Sequence, residues 1–91
     1  MKKFLLNKQV RLKHDDANDK FYAFCVETGD HFTLNKTGYF ILNHLKEEKN
    51  LNEIVTLLLE EMIVDKQAVL TDTIHFLELS EKNGIIASKN S

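Results

Sequence analysis

The chain contains no proline and no tryptophan, and it has one cysteine and three glycines. Without proline, no helix in it needs a kink. The lone Cys25 cannot form an internal disulfide, so a reducing, cytoplasmic setting is expected, and its place in the apolar run from Phe21 to Val26 suits a small buried side chain. Gly29, Gly38 and Gly84 lie too far apart to build a phosphate-cradling loop. Long apolar runs are missing as well. Phe4, Leu5 and Leu6 stand alone before Asn7, against about 7 to 15 residues in an export signal and roughly 20 in a membrane span. A basic excess is also absent: 12 Lys and Arg against 14 Asp and Glu leave a net charge of −2. Nucleic acid and membrane are therefore poor partners on composition alone.

What is present is the balance of an ordinary folded domain, with 43% hydrophobic and 29% charged residues over 91 positions. That length supports one core, so residues 1–91 are read as a single domain. Val10 and Leu12 alternate with Gln9, Arg11 and Lys13, the period-two pattern of a first strand with one buried face. Turn-forming residues from His14 to Lys20, including Asp15, Asp16, Asn18 and Asp19, predict a surface loop. Phe21 to Glu27 is aromatic and β-branched, Thr28, Gly29 and Asp30 supply a tight turn, and His31 to Leu34 resumes alternation as a third strand.

From Asn35 the period changes. Asn35 caps a first helix reaching about Glu47, with Gly38, Ile41, Leu42 and Leu45 on one face. Asn50 followed by Glu53 forms a capping box for a short second helix whose apolar face is Ile54, Leu57, Leu58 and Met62. Asp65 is expected to cap a third helix through Asn83, with Gly84 as its left-handed terminator and Ile85 and Ile86 as an extended tail.

The apolar positions of that third helix, Val69, Leu70, Ile74, Phe76, Leu77 and Leu79, spread over roughly 220° of the helical wheel, with Asp72 and Thr73 inside the arc. A helix packed on one side needs about half as much. Either the helix is sandwiched between the sheet and the other helices, or part of its surface lines a partner groove. An open sheet edge beside such a helix suits an incoming peptide that adds as a strand.

Two segments carry a family resemblance. Thr28 to Gly38 resembles the turn, third strand and "LN-x-T-G" helix start of the PqqD-like family, the RiPP recognition elements; Asp72 to Ile86 is similar to that family's last helix and its "G-x-I" end. The match covers about residues 8 to 87, though Tyr39-Phe40-Ile41 stands where members often have tryptophan. The resemblance implies a three-stranded antiparallel sheet followed by a three-helix winged helix-turn-helix core. It also implies a cleft between the third strand and third helix that takes the leader segment of a ribosomally made precursor peptide, antiparallel to the strand. Carried onto this chain, the peptide-binding residues are Asp30, His31, Phe32, Thr33 and Leu34 on the strand, with Val69, Asp72, Thr73, Phe76 and Leu77 on the helix. The chain stops soon after Ile86, so the resemblance implies a stand-alone member working with a separate maturation enzyme, a lasso-peptide leader peptidase or a radical-SAM protein.

Catalytic chemistry is not expected. His14, His31, His44, His75 and Cys25 fall in different predicted elements without metal-ligand spacing, and Asp15, Asp16 and Asp19 lack the glycine turn and terminal glutamate of a calcium loop. Glu47, Glu48, Glu60 and Glu61 read as solvated faces. No cofactor is expected. Two other functions compete with leader binding. A winged-helix DNA-binding regulator would place the last helix in the major groove, but between Lys66 and Lys82 that helix carries no Lys or Arg while holding Asp72, Glu78 and Glu81. A self-associating module, a homodimer, would use the sheet edge and the wide helix face.

Overall fold

The computed structural model describes residues 1–90. The chain runs β1 (Lys2–Leu6), β2 (Val10–Asp15), β3 (Lys20–Cys25), β4 (His31–Leu34), α1 (Lys36–His44), β5 (Lys49–Asn50), α2 (Leu51–Glu61), α3 (Val69–Lys82) and β6 (Ile86–Asn90). The class is α+β with three helices, but the strands make two three-stranded antiparallel sheets, β2-β3-β4 and β5-β1-β6, where one was expected.

The first sheet is the one the alternation foresaw. Val10 and Phe21 are buried and Ala23 is fully so, whereas Arg11, Lys13 and Thr33 face outward. The loop expected over residues 14–20 is shorter. Strand pairing continues through His14↔Phe21 and Asp15↔Lys20, and His14, stacked on Phe21 with ring centroids 4.2 Å apart, anchors the segment. The tight reversal is completed by Asp19, whose φ of 50° is left-handed.

The second sheet joins the two ends of the described chain. Lys2 pairs with Asn90 and Leu6 with Ile86, and β1 bonds to the end of α1 through the Leu6 amide on the Leu45 carbonyl at 2.7 Å. The expected extended tail is therefore a paired strand. Glu81 on α3 clasps it: its carboxylate accepts from the Ser88 hydroxyl and meets Lys2 Nζ at 3.4 Å. The Ser88 bond, helped by Lys2, holds the Glu81 carboxyl below the usual carboxylate range.

Helix ends follow their local chemistry. Asn35 Oδ1 accepts the Gly38 amide at 2.7 Å, and Asn50 and Glu53 complete a reciprocal capping box at 2.9 Å in both directions. Helix α1 ends at His44, earlier than expected. Asp65 does not cap α3. It closes the preceding turn by accepting the Gln67 amide on its side chain and the Ala68 and Val69 amides on its carbonyl, and α3 begins at Val69 without a side-chain cap. At the other end Gly84, with φ of 75°, sits in a Schellman motif: the Ile85 amide donates to the Ser80 carbonyl and the Gly84 amide to that of Glu81. Leu42, Leu45, Ile54, Leu58 and Leu77 fill the centre, sealed by Phe4, Ile85 and Ile86. Cys25 is only partly buried, not enclosed as its apolar run suggested. No helix among the described residues is long and apolar enough to cross a membrane.

Candidate peptide-binding cleft

Strand β4 is an edge strand, and its hydrogen-bonding phase determines what the edge offers. The Cys25 amide donates to the Asp30 carbonyl at 2.9 Å, and antiparallel ladders alternate between bonded and non-bonded pairs. Phe32 opposite Ala23 and Leu34 opposite Phe21 therefore turn their backbone groups toward β3. His31 and Thr33 turn theirs to the outer edge, where no strand pairs among the described residues. The side chains alternate too: Phe32 and Leu34 are half-buried on the α1 side, and His31 and Thr33 are exposed on the other face.

The strand runs directly into Asn35, and Asn35 opens a hollow of about 280 Å³ between the start of α1 and the flank of α3. Val69 and Thr73, 7% and 2% exposed, form its deep side. Phe76, half-buried, lies on Gly38 so closely that a Cβ there would sit 2.8 Å from the ring. This contact explains the glycine in the helix start: any side chain would push Phe76 from its place. Asp72 and Asp65 stand exposed at the rim, and no lysine or arginine lines the hollow.

Of the ten residues proposed for the site, Val69, Asp72, Thr73 and Phe76 are brought together around this hollow. Leu77 is not; it is 2% exposed and faces a separate groove of about 840 Å³ with Phe4 and Leu51. Asp30 accepts the Thr28 hydroxyl at 2.9 Å, which fixes the turn before β4. His31 is held by the Gly29 carbonyl at 3.0 Å and stacks on Phe24 at 5.7 Å. The Thr28 hydroxyl and amide also lower the Cys25 thiol from its ordinary value. Ile41, Leu58 and Val64 line the hollow as well, and no sequence pattern distinguished them from core residues. Asn35 and Gly38 were marked by the "LN-x-T-G" words but read only as cap and packing. The arc of α3 is wide because its apolar residues divide: Val69 and Leu77 are buried, beside the polar Thr73 and Ser80, while Leu70, Ile74 and Leu79 remain exposed.

The family model for Coenzyme PQQ synthesis protein D (PqqD) matches residues 23–86. No curated relative matches the sequence. Among solved structures, TbiB1 in complex with the TbiA(beta) leader peptide is similar at 28% identity and a TM-score of 0.73, over 90% of this chain and 93% of that one. Lasso peptide synthetase B1 complexed with the leader peptide has 18% identity and a TM-score of 0.72, over 92% and 96%. The PqqD truncation of Methylobacterium extorquens PqqCD, representing a functional and stand-alone RiPP recognition element, has 18% identity and a TM-score of 0.75, over 93% and 88%.

Proposed function

The chain belongs to the PqqD family, and from that membership we propose that it binds the leader segment of a ribosomally synthesised precursor peptide and presents it to a separate maturation enzyme. The observation that carries this reading is the open edge of β4 leading into the hollow at Asn35 and Phe76. A leader strand adds antiparallel to β4, exchanging backbone bonds with His31 and Thr33. Its side chains on the α1 side then pass Phe32 and Leu34 and reach the hollow. The apolar lining with Asp65 and Asp72 as acceptors suits a side chain with an apolar body and a donor at its tip. Within this reading the helices form the winged helix-turn-helix core, turned from nucleic acid to peptide. The leader complex of TbiB1, 28% identical to this chain, supports the same use of the fold. The enzyme served is a lasso-peptide leader peptidase or a radical-SAM maturase, and it performs the chemistry.

The test is a calorimetric titration of the purified domain with synthetic leader peptides of candidate precursors read from the neighbourhood of its gene. Saturable one-to-one binding, weakened by Phe76→Ala, is expected; heats that never saturate would sink the reading.

A further inference from the structure

Sheet β2-β3-β4 has two faces, and only one is occupied. Helix α1 packs against the face that carries Phe21 and Ala23, where His14 and Tyr39 join Phe21 in an aromatic cluster. The other face presents Arg11, Lys13 and Asp15 from β2, Lys20, Tyr22 and Phe24 from β3, and His31 and Thr33 from β4. Tyr22 and Phe24 are half-buried at its centre, and no protein element is seen over them among the described residues.

The charge on this face is mainly positive, with Asp15, opposite Lys20 and drawn by Lys13, as an acid at its turn end. Arg11, Lys13 and Lys20 surround the aromatic pair without an ion pair to any described residue. The acids of the adjoining turn are held by other groups. Asp16 and Asp19 meet the His14 ring at 3.1 and 3.3 Å on the opposite face, and the Asp15 carboxylate takes the Asn18 side-chain amide at 2.9 Å. In a chain whose net charge is −2, this is a local reversal: an aromatic centre within a cationic rim, the anatomy of a protein interface.

We propose that this outward face docks an acidic surface of a partner protein, which on the leader-binding reading is the maturation enzyme. Complementary charge would steer and orient that encounter. A nucleic acid matches the face less well. The usable patch is about three residues by three strands, roughly 10 Å on a side. A phosphate chain leaving it would meet Asp16 and Asp19 at one end and Glu27 and Asp30 at the other. The face also adjoins the leader site. A strand added to β4 widens the sheet by about 5 Å and places alternate leader side chains beside His31 and Thr33, so the docked partner contacts domain and leader together.

The test uses the isotope-labelled full chain and an octaglutamate peptide as the acidic probe. Expected are amide shifts confined to Arg11, Lys13, Lys20, Tyr22, Phe24 and His31, shrinking several-fold between about 50 and 300 mM salt. The double charge reversal Lys13→Glu, Lys20→Glu should abolish them while leader affinity stays within about two-fold. That retained affinity serves as the fold control. Shifts scattered over the helices, shifts surviving the reversal, or a larger response of the same face to an octathymidylate strand would each overturn the proposal. A leader that fails to bind while the probe still maps to this face would instead count against the leader site alone.

Discussion

Gly38 and Phe76 tie the packing of the domain to its candidate ligand site. A methyl at position 38 would lie 2.8 Å from the ring of Phe76 and 3.1 Å from the Asn35 cap oxygen, so the half-buried ring has to turn into the hollow it lines. Alanine, however, is favoured over glycine inside a helix by about 1 kcal/mol. Gly38→Ala should therefore leave thermal stability within about 1 kcal/mol of wild type while leader affinity falls several-fold, because the displaced ring occupies the hollow. Unfolding curves and titration of the same variant separate the two effects, and equal losses in both would assign Gly38 to the core alone. Phe4 makes the contrasting case. It is 8% exposed and belongs to the other sheet from β4, so Phe4→Ala should cost about 3 to 5 kcal/mol in denaturant unfolding and leave leader affinity of the folded domain intact.

At the level of elements, three helix ends were readable from residues close together in sequence. Asn35 with Gly38, Asn50 with Glu53 and the Gly84 terminator all formed as their sequences implied. Asn50 also pairs with Lys3 at the junction with the second sheet, so Asn50→Ala should cost about 2 kcal/mol, the upper end for a cap, in urea unfolding. Asp65 misled because the same side chain that starts a helix also closes a turn, and here the turn comes first. Strand β1 was illegible for a different reason. Phe4, Leu5 and Leu6 show no alternation, and their partners in β6 lie some 80 positions away. The contact of Glu81 with Lys2, 79 positions away, was hidden for the same reason. Because the folded-state pKa of Glu81 is depressed, its contribution is complete above the ordinary carboxylate value and is lost as pH falls through the lowered one. The stability difference between wild type and Glu81→Gln should hold steady near neutrality and close in acid; a gap that persists into strong acid would contradict that role.

For the whole molecule, the candidate leader site and the second sheet are separate structures. The family model spans residues 23–86 and so leaves out β1 and β2, and β1 supplies the centre of the second sheet. What the sequence carried well was the β3-β4 hairpin, the helix start after it and the excess apolar arc of α3. What it did not carry was how that arc divides, since Leu77 and Phe76 are neighbours in sequence yet face different hollows. The central claim concerns the outer edge of β4, and amide hydrogen exchange reads that edge directly. On adding leader peptide, the amides of His31 and Thr33 should slow markedly while those of Phe32 and Leu34, already bonded to β3, change little. Binding that leaves His31 and Thr33 exchanging as fast as before would contradict strand addition.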